Sequence, residues 1–337
     1  MNNPPFEINA QILNSVTQIT EKVTKMEYLI KNKKDLHLRK ASKIKSVNSS
    51  CAIEANTLTE KEVESVINGK RVIAPPNEII EVKNAYKAYE IIDKYKPFEI
   101  KSFLEAHKIM SENLIEESGK FRSGDVGVYS NGVAIHYGAR PEFVYGLVDD
   151  LFNWGKTTEF HPLIVACVVH YEIEIIHPFR DGNGRMGRLW QSAILYNYNT
   201  LFELIPIETL IYENQQKYYE MIQKSSQNNS STPFIEFMLD MVSQTLDVFS
   251  PNENLLTKVK EEYLDLLTNN QQSFLNMLLN KYNVNSDITM ENLARKYNKA
   301  KTTIRQQLQK LTDKNILIAE GENKGRKYKF NTDIFVK

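Results

Sequence analysis

His177-Pro178-Phe179-Arg180-Asp181-Gly182-Asn183-Gly184-Arg185-Met186-Gly187-Arg188 is the stretch from which the rest of the chain is best read. It gathers one imidazole, one carboxylate, three glycines and three arginines, with apolar helical sequence on both sides (162–176 and 189–196). Pro178 cannot continue a helix, so the preceding segment is expected to end near His177. Gly182 and Gly184 permit backbone angles that let consecutive N–H groups converge on a small anion. A helix starting near Arg185 would add its own unpaired N–H groups. Arg185 and Arg188, three apart, share one helix face. The stretch therefore predicts a phosphate site with a histidine at its lip.

Other loops read differently. The glycines at 182, 184 and 187 match G-x-G-x-x-G, but that fingerprint needs a strand before it and an acidic residue after a βαβ unit. Neither is visible here. A Walker A loop is excluded because no Lys-Ser/Thr follows the glycines. A plain Gly-rich turn with solvated arginines leaves the coincidence of His, Asp and spaced Arg unexplained.

The chain has 337 residues, enough for two or three domains. Its 42 basic and 42 acidic residues balance, so no global field points to nucleic acid. Hydrophobic residues make up 42% and charged residues 25%, ordinary for a soluble globular protein. Two cysteines, Cys51 and Cys167, are too few for a disulfide framework and fit a reducing cytoplasm. No signal peptide is visible. The most apolar run, 163–176, is too short to span a membrane and is interrupted by His170, Glu172 and Glu174.

Strand signals are few and the fold class expected is mainly α. Ile8, Ile12, Val16, Ile19, Val23, Met26 and Ile30 recur at helical steps. Thr59 to Glu62 forms a capping box that opens a short helix, closed by Asn68-Gly69. Further helices are expected over 77–95, 98–115, 141–154, 207–226 and 233–249. Between 119 and 140 five glycines break any helix, and Asn131-Gly132 flanked by Val and Ile predicts a small β-hairpin. Tyr212, Tyr218 and Tyr219 suit either a core or a base pocket. A linker is expected at 250–254.

Beyond it, one helix over 255–282, a short helix over 289–297, a turn at 298–300, a longer helix over 301–315 and two strands (316–319 and 326–330) follow the order of a winged helix-turn-helix. From 285 to 337 there are 12 Lys/Arg against 6 Asp/Glu, a net of +6. Lys301, Thr302, Thr303, Arg305, Gln306 and Gln309 are suited to phosphate and base contacts. DNA is one expected partner of 285–337; dimerisation or protein binding is the other use of such a fold.

The stretch 177–188 resembles the signature of the Fic family, His-Pro-Phe-x-(Asp/Glu)-Gly-Asn-Gly-Arg-x-x-Arg, at every defined position. The resemblance covers roughly 8–249, including the hairpin ahead of the motif. It implies three regions: an N-terminal helical region with an inhibitory motif (1–96), a Fic catalytic core (97–249), and a linker with a winged helix-turn-helix domain (250–337). It implies a helical bundle with a hairpin flap, and AMP transfer from ATP to a Ser, Thr or Tyr hydroxyl of a target protein.

By the same resemblance His177 is the general base and Asp181 holds Mg²⁺. Asn183, with the N–H groups of Gly182 and Gly184, cradles the phosphates. Arg185 contacts the β-phosphate, Arg188 the γ-phosphate, and Phe179 fixes the loop in the core. The hairpin at 124–138 would hold the target as an added strand, and the three tyrosines become candidates for the adenine pocket. Ser50-x-x-x-Glu54 resembles the family's inhibitory motif, whose glutamate pairs with the second arginine, here Arg188; Ala55 stands where Gly or Asn is usual. A homodimer is a further expectation, as Fic proteins often dimerise. Two alternatives remain: a DNA-binding regulator whose Fic domain senses nucleotide, and removal of AMP with Glu54 positioning water.

Overall fold

The computed structural model describes residues 3–30, 36–130, 133–249, 259–279, 282, 288–290, 293, 301–321 and 326–334. The chain divides into two compact units, Met1–Phe249 and Ser250–Lys337. The Asn131-Gly132 turn, the linker at 250–254, most of the helix expected over 289–297 and the turn at 298–300 lie outside the described residues.

The first unit is built around α7 (Pro162–Ile176), which packs against α6 (Pro141–Thr157), α8 (Asn183–Tyr198) and α11 (Thr232–Phe249). Every α7 side chain from Leu163 to Tyr171 is buried, with Ile173 and Ile176. A helix enclosed on all sides needs no polar face, which is why this run reads as continuously apolar. The N-terminal helices join the same core. The α1 helix (Ala10–Ile30) lies on α11 and buries Ile12, Ile19, Val23 and Met26; Ile8 precedes the helix and is exposed. The α2 helix (Leu36–Ile53) packs on α4 (Pro76–Glu90) and α9 (Ile207–Glu213).

The α3 helix (Glu60–Ile67) carries the expected reciprocal cap: Thr59 accepts from the Glu62 N–H and Glu62 accepts from the Thr59 N–H. It ends at Asn68, with Gly69 at φ 72°. The α5 helix (Ile100–Met110) stops five residues before the expected end at 115; the Ser111 hydroxyl turns back to the His107 carbonyl at 2.6 Å and Asn113 sits at φ 60°. The expected helix over 207–226 is two helices, α9 and α10 (Gln215–Gln227), divided at Asn214. The hairpin forms as β1 (Gly127–Ser130) and β2 (Val133–Tyr137), antiparallel, with a bulge between Val128 and Tyr129.

In the second unit the single helix expected over 255–282 is α12 (Glu261–Leu264) and α13 (Asn269–Leu279). Thr268 and Gln271 cap the start of α13 reciprocally, which the Thr-Asn-Asn-Gln sequence signals. The long helix α14 (Lys301–Thr312) buries Ile304, Leu308 and Leu311 as its spacing predicts. A strand not anticipated, β3 (Ile288–Thr289), joins β4 (Leu317–Glu320) and β5 (Lys327–Phe330) in a sheet of order β3-β5-β4. Among the described residues no helix is long and apolar enough to cross a membrane.

Candidate active site

The loop between α7 and α8 is set by two left-handed residues. His177 caps α7 at φ 53°, ψ 61°, its N–H on the Ile173 carbonyl. Gly182 caps α8 at φ 83°. The helix therefore begins at Asn183, two residues earlier than the sequence suggested, and brings the first-turn N–H groups directly behind the loop. The Asn183 side chain closes the loop from within: Oδ1 accepts from the Phe179 N–H at 2.8 Å and Nδ2 donates to the Phe179 carbonyl at 2.9 Å. What Asn183 offers outward is thus its place in the helix start rather than its amide.

Phe179 is fully buried and stacks on His107 with ring centres 3.6 Å apart. His107 Nδ1 accepts from the Gly119 N–H, so Nε2 carries the proton and donates to the Asp181 carbonyl at 3.1 Å. Burial pushes the His107 imidazole down to about 4, which keeps it neutral in this role.

The two arginines of the motif are buried and held by carboxylates from the N-terminal helices. Arg188 donates through Nε to the Ser50 hydroxyl (3.0 Å) and through Nη2 to the Ser50 carbonyl (3.0 Å) and Glu54 Oε1 (2.7 Å). Burial works against its charge, but Glu54, Tyr218 and Glu174 outweigh burial and hold the guanidinium more firmly protonated. The Glu54 carboxyl also lies against Gly184; a side chain there would run into Oε1. Arg185 reaches Glu81 Oε1 at 2.8 Å and Asp181 Oδ2 at 3.0 Å. Two guanidinium nitrogens, Arg185 Nε and Arg188 Nη1, are buried with no hydrogen-bond partner among the described residues. Buried unsatisfied donors are costly, and two converging on one helix start suit an anion with several oxygens. Asp181 is exposed, open to a hard cation, but no group of three or more His, Cys, Asp or Glu suited to a metal occurs among the described residues.

Glu54 owes its aim to the way α2 stops. The Asn56 N–H bonds the Cys51 carbonyl and the Ala55 N–H the Ala52 carbonyl, the paired bonds of a Schellman stop. Ala55 takes the left-handed position at φ 67°, where its Cβ is disfavoured. The backbone turn that Gly or Asn would make is made here by alanine. The last carbonyl of α2, Ile53, accepts from Gln215 Nε2 at 2.8 Å and from the Tyr219 hydroxyl at 3.2 Å. Cys51 is buried beneath this turn, and burial pushes its thiol up to about 12.

His177 is half-buried at the mouth of the loop. Its Nδ1 lies 3.3 Å from the Glu174 carbonyl, which can only accept, so Nδ1 carries the proton and Nε2 is the basic nitrogen. Arg122, buried, fixes the backbone around it. Its guanidinium donates to the carbonyls of His177 (2.7 Å), Gly124 (2.8 Å) and Ala139, and its N–H to Pro178. The loop and both ends of the hairpin are thereby tied to one side chain.

The three tyrosines part company. Tyr218 is buried and bonds His170 Nε2 (3.0 Å) and Glu174 Oε1 (3.1 Å), with His170 Nδ1 on Gln191, so it belongs to a polar network in the core. Burial works to raise the Glu174 carboxyl, but His170, Arg188 and His177 prevail and lower it. Tyr212 and Tyr219 are exposed, Tyr219 beside the end of α2. His107, Glu81 and Arg122 were not singled out by sequence. His107 and Glu81 sit on ordinary helices and Arg122 in a Gly-rich loop, and the bonds that tie them to the motif, to Asp181, Arg185 and His177, span 74, 104 and 55 residues.

The Fic/DOC family model matches residues 97–195, the core that contains this loop. A solved structure of a Fic family protein from Desulfovibrio desulfuricans G20 is 30% identical, with a TM-score of 0.71 over 98% of this chain and 99% of that one. The protein adenylyltransferase Fic of Aedes aegypti is 27% identical over 229 residues, 64% of this chain and 44% of that protein. The one from Nematostella vectensis is 28% identical over 211 residues, 59% of this chain and 47% of that protein. The chain thus spans less than half the length of these relatives.

Proposed function

The chain belongs to the Fic family, and from that premise we propose that it is an autoinhibited protein adenylyltransferase, moving AMP from ATP to a hydroxyl of a target protein. The observation that carries the reading is the pair of buried, partly unsatisfied arginines at the start of α8, beside a histidine whose Nε2 is basic.

The hydroxyl oxygen of the target attacks the α-phosphorus of ATP, its proton passes to His177 Nε2, and the bond to pyrophosphate breaks. Negative charge grows on the leaving group. Arg185, Arg188 and the N–H groups at the start of α8 supply fixed positive potential there. Mg²⁺ bound at the exposed Asp181 would neutralise phosphate charge. The two-stranded hairpin offers edges for a target segment to pair with.

Glu54 accounts for the resting state in this reading. Its carboxylate takes the Nη2 donor of Arg188 and fills the space beside Gly184, where the terminal phosphate would lie. The test is incubation of the full chain with α-labelled ATP. Glu54→Gly is expected to label itself or a target where the parent labels weakly, and His177→Ala in that background to label nothing while still binding nucleotide. An unlabelled Glu54→Gly chain that binds ATP would overturn the reading.

A second reading concerns the Ser250–Lys337 unit: a winged helix that binds DNA. It is supported by the exposure of Thr302, Thr303, Arg305 and Gln306 along one side of α14. A mobility shift with genomic fragments that weakens steeply with salt is the expected result.

A further inference from the structure

Arg185 has two edges with different neighbours. Nη1 lies 2.8 Å from Glu81 Oε1 on α4. Nη2 and Nε face the loop: a Cβ built on Gly182 would stand 3.7 Å from Nη2 and 4.0 Å from Nε. Among the described residues, Nε is buried without a hydrogen-bond partner and Nη2 is shared only with the exposed Asp181. Glu81 is itself held. Its Oε2 accepts from Asn56 Nδ2 at 2.9 Å, and the same amide donates to the Glu78 carbonyl at 3.1 Å. Asn56 lies two residues beyond Glu54, across the left-handed Ala55.

We propose that Glu81 is a positioning residue for Arg185: it grips the Nη1 edge from behind and aims the Nε–Nη2 fork at the β-phosphate of a nucleoside diphosphate or triphosphate. Asn56 fastens that grip to the turn that carries Glu54. The identity of the ligand rests on the adenylyl-transfer reading above. A planar guanidinium gains most from two parallel bonds, so fixing its plane beforehand raises affinity for a phosphate. A carboxylate acting as a lock would cover the ligand-facing edge, as Glu54 does at Arg188. Glu81 covers the opposite edge. When a diphosphate arrives, Nη2 would pass from Asp181 to a phosphate oxygen, leaving the Asp181 carboxylate free to hold a cation, while Nη1 keeps Glu81. One turn of chain, 54–56, then reaches both arginines: Arg188 directly, Arg185 through Glu81.

The test compares ADP with AMP, which lacks the β-phosphate, by calorimetry on the full chain. Glu81→Gln is expected to weaken ADP about tenfold, the worth of one charge-assisted hydrogen bond, and AMP by less than about twofold. Asn56→Ala is expected to weaken ADP about threefold and to add nothing in the Glu81→Gln background. Equal losses for ADP and AMP, or an unchanged ADP affinity, would overturn the proposal. Should Glu81→Gln fail to fold, Asn56→Ala carries the same comparison. The labelling of Glu54→Gly decides the transfer reading separately, since the ADP-to-AMP ratio needs no turnover.

Discussion

Arg188 Nη2 and Glu54 Oε1 lie 2.7 Å apart, joining the stop of α2 to the second turn of α8. The two partners differ sharply in setting: the Arg188 side chain is 1% exposed and that of Glu54 34%. Water can therefore replace Glu54, but nothing can replace Arg188. We expect Glu54→Gly to cost at most about 1 kcal/mol of stability, as for a partly exposed ion pair. Arg188→Ala is expected to cost about 3 kcal/mol or more, because it removes the three bonds to Ser50 and Glu54 and opens a cavity. Urea unfolding of both variants checks the order.

Ala55 holds φ 67° at the Schellman stop. Ala55→Gly removes the clash of a Cβ in the left-handed region, at the expense of a more flexible unfolded chain. The net gain expected is about 1 kcal/mol, a rise of roughly 2–4 °C in the midpoint for a unit of this size. Differential scanning calorimetry reads it; a lowered midpoint would contradict the assignment of strain to this residue.

His107 makes stability depend on pH. Burial lowers its folded pKa from 6.5 to about 4, so the unfolded chain binds the proton more readily. Its contribution is therefore complete above pH 6.5 and is lost as pH falls toward 4, by about 3 kcal/mol in all. Glu172 works the other way. Burial pushes its carboxyl up to about 7, so its contribution is lost as pH rises from 4.5 through 7. The two are separated by variants: the difference between parent and His107→Gln is expected to shrink between pH 7 and pH 4.5. Chemical unfolding at both values measures it.

Arg122 serves four backbone carbonyls with one guanidinium, those of His177, Gly124, Ala139 and, at 3.5 Å, Ile176. An ammonium is a compact point donor and cannot span them. Arg122→Lys is expected to cost about 2 kcal/mol or more, the penalty of a buried acceptor left unpaired. Hydrogen exchange should show faster opening of Gly138 and Ala139 amides, and transfer to a target should fall more than nucleotide affinity.

Local chemistry was readable from local sequence. Thr59 and Glu62 announce a helix start, Pro178 a helix end, and the spacing of Ile304, Leu308 and Leu311 a buried face. Where the structure departs from the expected spans, a competing local signal wins: Thr268 with Gln271 opens a second helix inside 255–282, and the Ser111 hydroxyl draws α5 to an early close. The link between Ser50, Glu54 and Arg188 came from family resemblance alone, since no spacing rule joins residues 134 apart. Glu81, His107 and Arg122 were silent for the same reason. Each looks ordinary among its neighbours and acquires its meaning only when the fold delivers an arginine, a stacked phenyl ring or a row of carbonyls to it.

The strained turn at Ala55 also bears on the resting state proposed above. Release of Glu54 by unwinding this turn returns Ala55 to an ordinary backbone angle and recovers about 1 kcal/mol, roughly a fivefold change in the ratio of closed to open chains. In the autoinhibited reading proposed above, a single methyl group one residue from Glu54 would set basal leakage: with glycine there the same chain would idle lower, and with a β-branched residue it would idle higher.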